Sequence, residues 1–301
     1  MTTTIPADRL IFAMSPHNAP VCRVPDGARL RFETCDCFAN QITRADTELQ
    51  GVDWSHINPA TGPVFVEGAR AGDTLAVHIQ RIELAKQAVL VTLPKLGVAG
   101  ARLTASRIDV VPVADGQVRL FDQVQLPVNP MIGVIGTAPA EGEISCGIPD
   151  AHGGNMDNKT IAEGTTLLLP VNVDGALLAL GDLHAAMGDG EVGVSGLEIS
   201  GAVEVSVRVI PARPWPLPLA ITADQVYTIA SHADLNAAAD AATLMATDLL
   251  VQHTCLDTNQ AIALQSIAGQ LQICQVVDPK KTCRFALPRS VLSQLDVQLP
   301  A

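Results

Sequence analysis

Apolar residues occur in short runs, broken by glycine and proline, over the first two thirds of the chain. Positions 21–38 alternate between apolar and polar residues on both sides of a Pro-Asp-Gly turn at 25–27. Two further apolar runs, 63–68 and 74–79, flank an Ala-Gly-Asp turn, which predicts a strand, a turn and a second strand. Repeated short strands with this punctuation favour a β-sandwich or barrel over a wound parallel sheet.

Helical periodicity appears only near the C-terminus. Apolar residues recur at helical spacing over 233–253, with Ser231 or Asp234 as the N-terminal cap, and Asp257 can cap a second helix. Residues 271–277 then predict one more strand. We therefore predict a mainly β fold with α/β additions, that is, a β-sandwich-like core plus C-terminal helices.

The proline-rich segment 211–218 suggests a boundary in the chain. We predict a mainly β domain over 1–210 that carries most of the functional site. A linker and an α/β C-terminal portion, 211–301, would pack on this domain. One continuous domain is the alternative.

Composition limits the partners and the location. The formal net charge of −12 argues against a nucleic-acid backbone or an anionic membrane, because both need a positive face on the protein. The first residues lack the basic start and apolar core of a signal peptide, and no apolar stretch reaches about 18 residues. The seven cysteines are scattered and contain no CxxC pair, which is typical of a reduced, cytoplasmic protein.

The most informative segment for chemistry is 179–191, where polar residues interrupt a stretch of Ala, Leu and Gly. Asp182 and His184 are two residues apart, so they point to one face if the strand continues through them. The chain then turns through two glycines, which can bring Asp189 and Glu191 back nearby. Carboxylates and an imidazole on one such unit can bind a divalent metal, whereas a solvated glycine-rich turn is the alternative.

A second polar cluster surrounds a pair of adjacent glycines. Its candidate residues are His152, Gly153, Gly154, Asn155 and Asp157. The two glycines let the backbone approach a ligand closely and can aim amide groups at a developing oxyanion, to which the asparagine can also donate. An ordinary loop with a Gly-Gly bend is the alternative.

Three N-terminal residues are weaker candidates. His17 lies in a proline-flanked loop and is either a ligand or a surface histidine. Asp36 precedes Phe38 at a strand end and is either a buried ligand or base, or a turn acid. Cys37 could be a nucleophile, which needs a nearby base, or a buried structural cysteine. Motifs for phosphate loops, dinucleotide sites, serine hydrolases and zincins are absent from the sequence.

Several segments together resemble the acetamidase/formamidase family. The strings HGGNMD at 152–157 and GDLHAAMGDGE at 181–191 are long and unusual. Shorter matching segments lie at 36–38, 62–68, 131–136 and 275–279. The matches follow the order of the family's pattern over nearly the whole chain, so chance agreement is a poor explanation.

The resemblance implies a homo-oligomeric amidase that cleaves formamide, acetamide or similar short linear amides to ammonia and a carboxylate. It also implies a bound divalent metal, with zinc expected and calcium as the family alternative; a carboxylate-rich site accepts manganese as well. The expected metal ligands are Asp36, Asp182, His184, Glu191 and His17. The expected catalytic residues are Glu191, Asp157, Asn155 and His152. The expected substrate-binding residues are Gly153, Gly154 and Cys37.

Three functional hypotheses follow. The first is hydrolysis by metal-assisted attack of water, with Glu191 or Asp157 as the proton acceptor. The second is a thiol-dependent amidase that uses Cys37 beside a structural metal. The third is a noncatalytic protein that binds small amides.

Overall fold

The computed structural model describes residues 2–211 and 215–300 and is built mainly of β-strands, as predicted. The first eleven strands are β1 (Thr2–Ile5), β2 (Leu10–Ile11), β3 (Ala13–Met14), β4 (Cys22–Val24), β5 (Arg29–Thr34), β6 (Ala60–Val66), β7 (Thr74–Leu84), β8 (Gln87–Thr92), β9 (Arg107–Ala114), β10 (Gln117–Leu120) and β11 (Val124–Pro127). The next eleven are β12 (Met131–Gly136), β13 (Ile144–Ser145), β14 (Gly153–Asn155), β15 (Thr166–Pro170), β16 (Leu178–His184), β17 (Glu198–Ile199), β18 (Gly201–Ile210), β19 (Leu219–Ile221), β20 (Gln225–His232), β21 (Gln270–Gln275) and β22 (Lys281–Pro288). The α-helices are α1 (Leu235–His253), α2 (Thr258–Ala268) and α3 (Arg289–Gln294), and short 3-10 helices cover Leu49–Gly51, Trp54–His56 and Gly100–Arg102.

Two large sheets form the body of the protein. The first has the strand order β1-β5-β18-β7-β15-β19-β20-β22-β21. The second has the order β11-β10-β9-β8-β17-β16-β12-β14, with β6 also paired to β16 and joined by β2 and β4. A shared core joins the sheets, with Phe32 and Val77 from the first and Ile132 and Leu180 from the second, all of them fully buried. The predicted mainly β, sandwich-like core is thereby confirmed.

The turns predicted at 25–27 and between 68 and 74 both exist, but each connects the two sheets rather than closing a hairpin. Strand β4 pairs with β6 in the second sheet, whereas β5 joins β1 and β18 in the first. Strands β6 and β7 are divided between the sheets in the same way. Each crossing brings a buried face to the same core, which explains why both strands of each pair are apolar.

The two predicted C-terminal helices are confirmed together with their caps. The Asp234 side chain accepts a hydrogen bond from the amide of Ala237 at the start of α1. At the start of α2, Asp257 and Gln260 form a reciprocal capping box. Each cap stabilises its helix by about 1 kcal/mol. Small residues along α1 pack against β20 and β22, and the buried ones are Ala238, Ala242 and Ala246.

The C-terminal portion extends the first sheet. Strands β19 to β22 continue the sheet that begins with β1 and β5, and the helices cover this part of it. Residues 212–214, inside the predicted linker, lie outside the described residues. The division of the chain at residue 210 stays a prediction. Over 2–211 and 215–300, no helix has the length and apolar character needed to cross a membrane.

Candidate active site

A small polar cavity of about 40 Å³ lies beside the ends of β14, β16 and β17. Its buried lining residues are Cys37, Asn155, Asp157, Asp182, His184, Glu191 and Glu198. Its half-buried lining residues are Asn58, Val194 and Asp278. The half-buried residues are the part of the lining that reaches solvent, and we refer to them as the mouth of the cavity.

The sheet register aligns the residues at the floor of this cavity. His184, the last residue of β16, lies opposite Met131 on one neighbour and opposite Glu198 on the other. Glu198 faces the imidazole because β17 pairs with β16, although the two residues lie on different strands. Spacing within one strand could not reveal this neighbour.

A bare glycine leaves room for two of the carboxylates. A Cβ atom added to Gly133 in β12 would lie 2.6 Å from Asp157 Oδ1 and 2.6 Å from Asp182 Oδ2. No real Cβ atom tolerates such a distance, so any larger residue here would displace both side chains. The absence of a side chain at Gly133 allows the two acids to approach each other.

Three acidic residues of the cavity adopt left-handed backbone conformations. The φ angles are 40° at Asp157, 54° at Asp182 and 44° at Glu191. Such angles cost roughly 1–2 kcal/mol for a residue with a Cβ atom. Strain of this kind persists where the surrounding structure enforces it, and it clusters at functional sites.

Four carboxylates surround one imidazole nitrogen. His184 Nε2 lies 3.1 Å from Glu198 Oε2, 3.6 Å from Asp182 Oδ1, 3.8 Å from Asp157 Oδ1 and 4.0 Å from Glu191 Oε1. Burial opposes a charge on this histidine, but Glu198 and Asp182 outweigh it and raise the pKa of His184 well above its usual value. The imidazole alone cannot balance so many acids.

The electrostatics of the cavity disfavour ionised carboxylates. Burial raises the pKa of Glu191 to about 8 and that of Glu198 to about 7. Burial and the neighbouring acids hold the pKa values of Asp157 and Asp278 well above the usual range. Among the described residues that line the cavity there is no lysine or arginine. The cavity therefore favours a bound cation or retained protons.

Several polar atoms of the cavity have no hydrogen-bond partner within the described part of the chain. They are Asn155 Oδ1, Asp157 Oδ1, Asp182 Oδ1, His184 Nδ1 and Glu198 Oε2. The Glu198 oxygen is close to His184 Nε2, but the pair lacks the alignment of a hydrogen bond. Leaving such groups unpaired costs about 1–3 kcal/mol each, and more when they are charged, so this cluster has the character of a ligand-binding site.

Two groups of side chains present their ligand atoms within 4.8 Å of one another, close enough to hold a metal ion. One group is Asp157, His184 and Glu191, and the other is Cys37, Asp182 and Glu198. The structure thus brings together three of the five metal ligands that the resemblance implied.

Asp36 and His17, the other two implied ligands, do not line the cavity. The Asp36 carboxylate accepts hydrogen bonds from the backbone amides of Phe38 at 3.0 Å and Asn40 at 2.7 Å. Burial raises the pKa of Asp36 to about 6, and its carboxylate shapes the loop that carries Cys37. His17 is exposed in its N-terminal loop.

The Gly-Gly bend does not form part of the cavity wall. His152, Gly153 and Gly154 are buried, but none of them lines the cavity. The amide of Gly153 donates to the carbonyl of Asp150, so it is not free to stabilise an oxyanion. An added Cβ at Gly153 would overlap the backbone of β12, which means that these glycines allow close strand packing.

Asn155 does line the cavity, and one of its two side-chain N–H groups is already engaged. Asn155 Nδ2 donates to Asp278 Oδ2 at 3.0 Å, and Asn155 Oδ1 faces no donor among the described residues. The second N–H group of Nδ2 can still take the predicted role of oxyanion donor, and the oxygen can accept a hydrogen bond from a ligand.

Asp189, which the sequence grouped with Glu191, is directed away from the cavity. Its carboxylate accepts two hydrogen bonds from the buried guanidinium of Arg284, at 3.0 and 2.9 Å, and pairs with Lys159 at 2.9 Å. Arg284 also donates to Asn158 Oδ1 at 3.0 Å. The arginine thereby joins the loop before Glu191 to the residue that follows Asp157.

Sequence reasoning missed four lining residues, which are Asn58, Val194, Glu198 and Asp278. A signal was present for two of them. Glu198 is a charged residue within an apolar strand segment, and Asp278 belongs to the matching segment 275–279. Their position beside His184 and Asn155 depends on strand pairing and on the turn between β21 and β22, neither of which local sequence encodes.

Cys37 reaches the cavity in an environment that suppresses its thiolate. Burial, followed by the charges of Glu198 and Asp182, raises the pKa of the Cys37 thiol well above its usual value. A nucleophilic cysteine needs the opposite, a lowered pKa beside a positive group or a base. Its sulfur also belongs, with Asp182 and Glu198, to one of the two groups whose ligand atoms lie close enough to hold a metal ion, which suits a metal ligand better than a nucleophile.

Comparison with known proteins agrees with this architecture. The chain is similar to two crystal structures, a predicted acetamidase/formamidase from Thermoanaerobacter tengcongensis and an acetamidase from Bacillus halodurans. The first has 48% identity, a TM-score of 0.97 and coverage of 99% of both chains. The second has 44% identity, a TM-score of 0.96 and coverage of 98% of this chain and 100% of that one.

Among curated proteins, the chain is 25% identical over 250 residues to the formamidase of Methylophilus methylotrophus, a match that covers 63% of this chain and 61% of that protein. The chain thus spans about three fifths of the length of the curated formamidases it matches. The model of the Acetamidase/Formamidase family matches residues 13–144 and 145–214. Together with the fold and the cavity, this match shows that the chain belongs to the acetamidase/formamidase family.

Proposed function

We propose that this protein hydrolyses short linear amides to ammonia and the carboxylate, and that the reaction takes place in the polar cavity. The observation that carries the proposal is the cluster of five carboxylates, one imidazole and two carboxamides around about 40 Å³ of space. Such a volume admits only a very small polar molecule. Proteins similar to this chain are named formamidase and acetamidase.

The donor set fits a divalent metal. Buried acids with unpaired oxygens and no neighbouring lysine or arginine lower their energy by sharing a cation. Asp157, His184 and Glu191 would hold it, and Cys37 and Asp182 belong to the second candidate group, with Glu198. Imidazole and thiolate donors favour zinc, while the carboxylates also accept calcium or manganese. When bound, such an ion supplies electrostatic stabilisation of the carbonyl oxygen and makes water a better nucleophile.

The protein's own carboxylates would move the protons. Water must lose a proton as it attacks the amide carbon, and the leaving nitrogen must gain one because an unprotonated amide nitrogen leaves badly. Glu191 and Asp157 both line the cavity, and whichever of the two keeps a carboxylate oxygen off the ion can accept the first proton and deliver it to the nitrogen.

Asn155 would orient the substrate. Its Oδ1 atom is buried and lacks a donor among the described residues, while its Nδ2 atom is held by Asp278. A primary carboxamide has two N–H donors, so one of them can satisfy this oxygen. Fixing the nitrogen in this way leaves the amide carbonyl free to face the other polar groups of the lining.

The test is ammonia release from a panel that includes formamide, acetamide and longer aliphatic amides. We expect turnover of the shortest members. Saturable binding without turnover would instead indicate a noncatalytic amide-binding protein and would overturn the proposal.

Iodoacetamide separates the metal-assisted reaction from the thiol mechanism. Because the Cys37 thiol is buried among acids, we expect slow alkylation and little loss of activity on the time scale of the assay. Rapid inactivation that substrate blocks would favour the thiol mechanism.

We also propose a cytoplasmic homo-oligomer. The cytoplasmic location is supported by the scattered cysteines without CxxC pairs, and oligomerisation by the family resemblance. Light scattering on the purified protein gives the assembly size, and a mass equal to that of the 31.5 kDa chain would contradict oligomerisation.

A further inference from the structure

The mouth of the cavity carries one aliphatic side chain, that of Val194. The other two half-buried lining residues, Asn58 and Asp278, are polar, and the buried lining residues all end in a carboxyl, imidazole, carboxamide or thiol group. The acyl group of an amide is the apolar part of the molecule. Val194 is therefore the part of the lining that an acyl carbon can contact without desolvating a polar group.

Val194 is held in an unusual backbone conformation. Its φ angle is 74°, a value that a β-branched residue rarely adopts. Its amide donates to the carbonyl of Glu191 at 2.9 Å, which closes a turn over 191–194. This turn directs the valine side chain toward the cavity and links its position to that of Glu191.

The same segment separates the polar cavity from a larger one of about 530 Å³. Val192 and Ser195 line the larger cavity, Val194 lines the small one, and Glu191 lines both. The wall of the larger cavity is mostly apolar and includes Leu90, Val118, Leu120, Leu126 and Met187. The segment 191–195 is thus a thin partition between a polar and an apolar space.

We propose that Val194 sets the maximum acyl length of the amide substrate, and that the larger cavity is an acyl-binding site which the valine closes. This inference rests on the proposed amide hydrolysis. A hydrogen or methyl group on the carbonyl carbon fits against the valine methyl groups. A longer chain meets them, whereas the apolar space that could bury it lies just beyond.

The test is the variant Val194→Gly. Glycine adopts a φ angle of 74° without steric cost, so the variant should fold and melt no lower than the wild type. Removing the side chain widens the polar cavity on the side of this partition, so a longer acyl chain can extend toward the apolar space. The ratio of kcat/KM for hexanamide to kcat/KM for formamide should then rise at least about tenfold. Val194→Thr, which keeps the size and branching of the side chain, is the matched control and should leave this ratio unchanged.

A folded Val194→Gly protein with the wild-type ratio would overturn the inference. If the wild type hydrolyses no amide at all, the proposed function fails. Calorimetric binding of the same amides to both proteins then tests whether Val194 limits the acyl length. Hexanamide that binds to Val194→Gly but not to the wild type would still support Val194 as the limit on acyl length. Equal binding to both proteins would reject it.

Discussion

At the scale of single residues, the candidate site is a set of acids that cannot all be charged in the fold as it stands. Glu198, Asp182, Asp157 and Glu191 all lie within 4.0 Å of one nitrogen of His184. Such an arrangement costs stability unless a ligand compensates it, so function is the simplest reason for its presence. The sequence identified Asp182, His184 and Glu191 as candidates because each is a polar residue in an otherwise apolar stretch.

Replacing His184 should greatly reduce amide hydrolysis, whereas replacing a histidine outside the cavity should not. In His184→Ala we expect kcat/KM for formamide to fall more than about a hundredfold, beyond the loss typical of a residue that only supports a metal ligand. His232, exposed at the end of β20, provides the matched control, and His232→Ala should retain nearly full activity. Comparable rates for His184→Ala and the wild type would remove this residue from the site.

His152 should make the fold sensitive to acid. Burial lowers the pKa of its imidazole from 6.5 to about 4, so between those pH values the unfolded chain binds a proton that the folded chain does not. Stability is therefore lost as the pH falls from 6.5 toward 4. At pH 4.5 this loss amounts to roughly 2–3 kcal/mol.

The variant His152→Gln should lack that loss. The measurement is the free energy of unfolding in urea at pH 7 and pH 4.5 for both proteins. The drop between the two pH values should be smaller in the variant, and identical drops would show that His152 does not titrate in this way.

At the scale of elements, the two long C-terminal helices were predictable, whereas the short α3 and the strand partners were not. Asp234 and Asp257 cap their helices through atoms within three residues, so local sequence contains the whole signal. The turn at 25–27 is equally clear in the sequence, yet it contains no information on which sheet receives β5. Glu198 was not predicted as a site residue because its position depends on the pairing of β17 with β16, and local sequence does not encode strand partners.

The close approach of β12 to the site acids predicts an intolerance of side chains at Gly133. In Gly133→Ala the new methyl group would lie 2.6 Å from two carboxylate oxygens, so activity should fall at least about tenfold as both acids move. Gly51→Ala places its methyl group where no atom lies within 4 Å and is the control. Wild-type kcat/KM in Gly133→Ala would contradict the arrangement of these carboxylates.

The loop before Glu191 depends on an ion pair with β22. Arg284 is 2% exposed at its side chain and pairs with Asp189, so Asp189→Asn should leave a buried positive charge poorly compensated. We expect a loss of about 1–3 kcal/mol in the free energy of unfolding. Lys159→Met removes only a partly exposed partner of the same aspartate and should cost less than about 1 kcal/mol. Equal losses in the two variants, measured in urea, would contradict this difference.

At the scale of the whole molecule, one site draws on distant parts of the chain. Cys37 comes from the N-terminal region, Asp157 to Glu198 from the middle, and Asp278 from the turn between β21 and β22. From the sequence we predicted most of the site within 1–210. In the structure the C-terminal portion also contributes, because Asp278 lines the mouth of the cavity and Arg284 holds the loop before Glu191 through Asp189. Only the assembled sheets bring these residues together, which is why motif spacing could not reveal that they share one cavity.

The central claim is that the buried acids around His184 hold a divalent cation used in amide hydrolysis. The most direct measurement is ammonia release from formamide by protein whose metal content is determined before chelation, after chelation and after zinc is returned. We predict that activity is lost in proportion to the metal removed and recovers as the metal is restored. Full activity in protein verified to be free of metal would contradict the account.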